Sequence, residues 1–181
     1  MHFFNPVPVM PLVEVISALR TSERVVAEAS AFVTDVLGKH VIRAKDRAGF
    51  VVNTLLVPYL LQAVRMLDAD VASAKDIDDG MRLGCGHPMG PLALIDLIGL
   101  DTLTAVADAM FQETKEPMYA PPPLLQRMVE SGLLGKKTGI GFHAYDLRPP
   151  SSREESLREE ETTMIIWMIR RLVRAFKNRA K

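Results

Sequence analysis

Apolar positions divide the chain into short elements with distinct periods. Residues 12–16, LVEVI, are rich in β-branched side chains and predict a strand, with Glu14 as its one charged member. Residues 22–38 carry Val25, Val26, Ala29, Phe32, Val33 and Val36 at helical spacing. Ser22 or Thr21 can cap that helix and Gly38 can end it. Residues 40–45, HVIRAK, predict a second short strand, and 46–49 turn the chain into a long apolar helix over 50–74. Pro58 lies inside that helix and should kink it or mark its first turns. Beyond it the pattern predicts a short helix over 76–83 ending at Gly84, then a breaker-rich loop at 84–91. A short buried helix over 92–98 comes next, followed by a helix capped by Asp101 and running to about 114. Residues 117–123, PMYAPPP, read as a linker that cannot be helical, and 124–132 as a further helix. Residues 17–134 are thus mostly helical with one short strand, and no internal repeat is evident.

Two side chains near the start invite a chemical reading. His2 is the kind of side chain whose ordinary pKa lies near neutrality, so it can take a proton from a hydroxyl and return it. Glu14, if buried beside an imidazole, would fix its tautomer and stabilise the imidazolium. Pro6, Pro8 and Pro11 impose a stiff, extended path between them, and a bend there could return the strand to the histidine. The competing readings are a frayed terminal histidine and a solvent-facing glutamate. Asn53 falls in the first turn of the long helix, where its amide can face a pocket or serve only in capping and packing.

Composition narrows the classes. The 181 residues are 48% hydrophobic, enough for one substantial core with an extension. Lys plus Arg and Asp plus Glu balance at 22 each, so no global field favours nucleic acid. The single cysteine, Cys85, rules out an intrachain disulfide and fits a reducing, cytoplasmic compartment. Cys85 has no neighbours at zinc spacing, and His87 alone makes no metal site, so a structural cysteine is expected. No apolar run reaches the roughly 18 residues of a membrane span. The opening also lacks the basic start of a signal peptide, and prolines interrupt its apolar stretch.

Three segments carry a family resemblance: HFFNPVPVMPLVEVI at 2–16, AGFVVNTLLVPYLLQA at 48–63 and GKKTGIGFHAYD at 135–146. In that order they closely resemble the short-chain 3-hydroxyacyl-CoA dehydrogenases, the bacterial 3-hydroxybutyryl-CoA enzymes in particular. The resemblance implies that His2 is the general base, that Glu14 pairs with it and that Asn53 lines the same pocket. It also implies that Asn5 and Lys137 face the nicotinamide cofactor, NAD or NADP. The family usually has tyrosine where this chain has His143. The implied fold is mainly α: a helical C-terminal dimerisation domain of the 6-phosphogluconate dehydrogenase C-terminal-like type, preceded by a remnant strand of a Rossmann domain. On that basis residues 1–16 are the remnant with the catalytic segment, 17–146 the helical domain and 147–181 a linker and tail. The implied activity is oxidation of the 3-hydroxyl of an acyl-CoA in fatty acid metabolism, by a homodimer joined through the helical domain.

Two features depart from that pattern. No GxGxxG with a downstream acidic residue occurs, and GKKTGIG at 135–141 lacks the order of a phosphate-binding loop. A nucleotide-binding βαβ unit is therefore expected to be missing, and the alternative reading is a catalytically silent helical dimerisation module. The family normally stops near 146, whereas this chain continues. Residues 153–161 hold five glutamates and two arginines, and 164–181 place Ile165, Met168, Ile169, Leu172, Val173 and Phe176 on one helical face. A helix packed on its own domain or dimer mate is favoured there over a membrane-surface helix.

Overall fold

The run at 12–16 forms β2 (Leu12–Ser17), the centre of a three-stranded sheet ordered β1-β2-β3, in a computed structural model that describes residues 1–146. The linker and amphipathic helix expected at 147–181 lie outside the described residues. Val13, Glu14 and Val15 are all buried, as in a strand covered on both faces. β1 (His2–Phe3), which the pattern did not predict, pairs antiparallel with β2 and sets His2 opposite Glu14. β3 (His40–Lys45) pairs parallel with β2 from Leu12 opposite His40 to Ser17 opposite Lys45. The proline-rich bend between β1 and β2 is held from outside: Lys39 Nζ donates to the carbonyls of Val7 and Met10, each at 2.7 Å.

Parallel neighbours need a crossover, and α1 (Glu23–Ala31) supplies it. Ser22 caps it through an Oγ that accepts from the Val25 amide. The helix widens into a π-helical segment, Phe32–Val36, before Gly38 turns the chain at φ 64°.

The rest is a helical body of α2 (Val52–Asp68), α3 (Ala74–Asp79), α4 (Pro91–Ile98), α5 (Leu100–Thr114) and α6 (Pro123–Glu130). Their apolar faces meet in one core that includes Leu60, Leu61, Val64, Leu92, Ile95, Leu100, Met110 and Leu125. Each such side chain, fully buried, contributes about 1.5–3 kcal/mol.

Three boundaries correct the expectations. α2 stops at Asp68 rather than at 74 because Asp70 turns left-handed at φ 53°, and the Val71 amide reaches back to the Met66 carbonyl. Ser73 then caps α3 by accepting from the Asp76 amide, so the short helix expected over 76–83 starts at Ala74, and from Gly80 to Gly84 it continues as a π-helical segment. Asp101 lies inside α5 instead of capping it; Gly99, at φ 101°, stands at that position. The stretch at 117–123 is also less irregular than expected. Pro117–Tyr119 make one 3₁₀ turn, and Arg65 Nη2 donates to the carbonyls of Pro117, Met118 and Ala120. Pro58 lies within α2 and has no N–H for the Thr54 carbonyl, which instead receives the Tyr119 hydroxyl at 3.5 Å.

Candidate active site

Helix α2 starts without a capping side chain of its own, because Gly49, Phe50, Val51 and Val52 offer none. The turn before it closes when the Phe50 amide donates to the Arg47 carbonyl, with Gly49 at φ 86° and Phe50 at φ 47°. The positive φ favours glycine at residue 49, where a Cβ would also displace the end of the Met110 side chain. The exposed end of the helix is thereby aimed at β2. The amides of Val51 and Val52 donate to Glu14 Oε1 at 3.0 and 3.1 Å. A carboxylate from a strand thus caps a helix nearly forty residues on, with the helix dipole favouring its negative charge.

The other oxygen, Glu14 Oε2, meets His2 Nδ1 at 2.7 Å. Glu14 is fully buried, while the His2 side chain keeps 32% of its surface exposed. The ionised carboxylate accepts, so Nδ1 carries the proton and Nε2 is left with a lone pair. Among the described residues no group bonds Nε2. Two rings contact the imidazole, Phe4 edge-on at 4.8 Å and Phe50 tilted at 5.4 Å. The arrangement can take a proton at Nε2 and hold the resulting imidazolium against a buried negative charge.

Asn53 lies in the first turn of α2, half-buried, one residue beyond the amide pair that holds Glu14, and its amide makes no hydrogen bond among the described residues. Asn5 is exposed at the bend after β1. Lys137 stands in a 3₁₀ turn, Lys136–Thr138, with its ammonium on both oxygens of Asp101 at 2.5 and 2.6 Å. Lys137 holds the Asp101 carboxyl below the usual carboxylate range.

A second carboxylate–histidine pair escaped the sequence reading. Asp78, buried, accepts from the amides of Leu92 and Ala93 at the start of α4 at 2.7 and 3.0 Å, and its Oδ2 meets His143 Nε2 at 2.8 Å. Asp96, also buried, takes the amides of Phe142 and His143 and the hydroxyl of Tyr145. Burial and then the Asp96 carboxylate push the Tyr145 phenol far above its ordinary value. A Cβ at Gly141 would overlap Asp96 Oδ1, so the segment lies directly on this carboxylate. The helix start at Pro91, preceded by Gly90 with no capping side chain, was the available signal for Asp78. Cys85 is exposed, which corrects the expectation of a packed structural cysteine, and no group of three metal-ligating side chains occurs among the described residues. No helix among them is long and apolar enough to cross a membrane.

Comparisons with known proteins match both parts. The family model of the 3-hydroxyacyl-CoA dehydrogenase C-terminal domain covers residues 49–145, and that of the NAD binding domain of the same family covers residues 1–47. A 3-hydroxybutyryl-CoA dehydrogenase of Mycobacterium tuberculosis is 59% identical over 145 residues, covering 80% of this chain and 51% of that protein. The human mitochondrial hydroxyacyl-coenzyme A dehydrogenase is 47% identical over 146 residues, covering 80% and 46%. The solved (S)-3-hydroxybutyryl-CoA dehydrogenase of Ralstonia eutropha superposes with a TM-score of 0.78 at 49% identity, over 81% of this chain and 51% of that one. The chain therefore spans about half the length of the curated relatives it matches. With more than half of its residues inside one domain model of the family, it belongs to the 3-hydroxyacyl-CoA dehydrogenases.

Proposed function

We propose that this chain supplies the proton-transfer half of an NAD-dependent 3-hydroxyacyl-CoA dehydrogenase acting on short acyl chains such as 3-hydroxybutyryl-CoA. The observation that carries the reading is the His2–Glu14 contact of 2.7 Å, with the far carboxylate oxygen capping α2. His2 Nε2 takes the 3-hydroxyl proton. Glu14 holds the Nδ1–H tautomer and offsets the charge that forms on the ring. Asn53, next to the amide pair, is free to donate to the substrate oxygen. The dinucleotide, when bound, accepts hydride from C3.

This chain's residues fit only the nicotinamide end of that cofactor. Among the described residues the one parallel crossover enters α1 through residues 18–22, ALRTS, without glycine; Ser22 already caps the helix, and Glu23 puts a negative charge in its first turn. That helix start repels a pyrophosphate rather than holding it. Asn5 and Lys137 are proposed to flank the nicotinamide. With two of its donors on Asp101, the Lys137 ammonium keeps one for a further acceptor. The helical body is proposed to pair with a second copy. An apolar groove of about 640 Å³ along α2 and α4, lined by Val52, Leu55, Leu56, Met89, Leu94 and Leu97, leaves Leu55 73% exposed.

The test is acetoacetyl-CoA-dependent oxidation of NADH by this chain alone and by the chain joined to an upstream nucleotide-binding half. Turnover only in the joined protein is expected. Turnover in neither would favour the silent dimerisation module.

A further inference from the structure

Phe50 is a residue whose backbone and side chain disagree. Its φ of 47° lies in the left-handed region, where glycine or asparagine is the ordinary choice and a bulky side chain is an outlier. Helix α2 and its turn could be reached with a smaller residue there. The ring is not spent on the helical core either: Phe50 belongs neither to that core nor to the partly buried side chains packed against it. It lies 5.4 Å from the His2 ring, tilted by 52°. Phe4, two residues beyond His2, stands on the same imidazole at 4.8 Å.

Phe50 therefore reaches His2 by two routes. Through the backbone, it precedes the Val51 and Val52 amides that fix Glu14 Oε1, and Glu14 Oε2 fixes Nδ1. Through its ring, it limits rotation of the imidazole about the Cβ–Cγ bond. A flip about that bond would put Cδ2 in place of Nδ1 against Oε2, so the hydrogen bond opposes it, and a ring packed on the imidazole adds to that resistance. An unfavourable backbone conformation kept together with a large side chain is a reason to look for function at that side chain.

We propose that Phe50 is a positioning residue for His2, its ring holding the imidazole in the one orientation that gives Nδ1 to Glu14 and leaves Nε2 open. The proposal rests on the proton-transfer role of His2, but its test reads the imidazole directly and not turnover. The full 181-residue chain is labelled with ¹⁵N at histidine, and the His2 ring is assigned by its loss in His2→Ala. The wild-type protein is expected to show a single Nδ1–H tautomer. Phe50→Gly suits the local φ and removes the ring, whereas Phe50→Leu keeps bulk without an aromatic face. Both are expected to fold and to replace that signal by an averaged one, and Phe50→Tyr is expected to restore it. A strain-only role would leave Phe50→Gly with the wild-type signal. An unchanged His2 signal in both the glycine and leucine variants overturns the proposal. Turnover that survives His2→Ala in the joined protein would overturn the proton-transfer reading while leaving this signature in place.

Discussion

The two buried carboxylates that each hold a histidine use the same device for different ends. Glu14 caps α2 and binds His2 at 2.7 Å; Asp78 caps α4 and binds His143 at 2.8 Å. Exposure does not separate the two rings, at 32% for His2 and 29% for His143. Their surroundings do. The backbone of His143 is itself bonded to Asp96, as are the Phe142 amide and the Tyr145 hydroxyl, so the pair is one of several ties that close residues 135–145 onto α3 and α4. His2 stands on a two-residue strand with two aromatic rings on its imidazole, whereas no ring contact to His143 occurs among the described residues. A histidine–carboxylate contact is therefore not evidence of catalysis by itself. Each ring keeps a second nitrogen without a hydrogen bond among the described residues, so what separates them is the pair of aromatic rings on His2 and the backbone ties of His143.

The sharpest way to break this comparison is Glu14→Gln. The amide oxygen can still cap α2, but its N–H₂ would donate to His2 Nδ1 and force the proton onto Nε2. By analogy with other carboxylate-oriented histidines, turnover in the joined protein should fall roughly 10³- to 10⁴-fold. Steady-state kinetics at saturating acetoacetyl-CoA check this. Next in size is Asp96→Ala, which strands three donors, two of them amides, at a carboxylate only 1% exposed. A loss of about 3 kcal/mol or more is expected in urea unfolding. His143→Ala should cost about 1–2 kcal/mol of stability by the same assay, as one hydrogen bond to a buried charge is lost.

A pH effect follows from Tyr145. Its folded pKa is raised, so its contribution is fully present below the ordinary tyrosine value near 10 and is lost as pH rises through the folded value. Melting temperatures should fall more steeply above pH 10 in the wild type than in Tyr145→Phe. The smallest effect belongs to Asp101→Ala. Its pair with Lys137 is 46% and 40% exposed, so about 0.2–1 kcal/mol is at stake. The Asp101 carboxyl is depressed, so that contribution is present above the ordinary aspartate value and lost as pH falls through the folded one.

Much of this was legible in the residues. The strands at 12–16 and 40–45 follow from β-branched runs, and the helix start at Ser22 from local capping chemistry, whereas the Ser73 cap lay inside the helix expected over 50–74. His2 and Glu14 were singled out by residue type, and their family segments brought them together; the register of a two-residue strand could not be read, because β1 is too short for any period. What the sequence hid are contacts between distant segments. Lys39 on the proline-rich bend, Glu14 on the α2 amides and Asp78 on His143 join residues that share no local signal. Their trace was indirect: α2 and α4 both begin without a capping side chain, and in each case a carboxylate from elsewhere fills the gap. The end of α2 at Asp68, short of the expected 74, depended on a left-handed Asp70, a conformation that aspartate tolerates without announcing it.

The most direct measurement compares His2→Ala with His143→Ala in the joined protein, recording turnover and unfolding free energy for each. The account predicts that both variants lose a similar amount, about 1–2 kcal/mol for one hydrogen bond to a buried carboxylate each, but that only His2→Ala loses turnover. Retained turnover in His2→Ala, or equal losses of turnover in both variants, would contradict it.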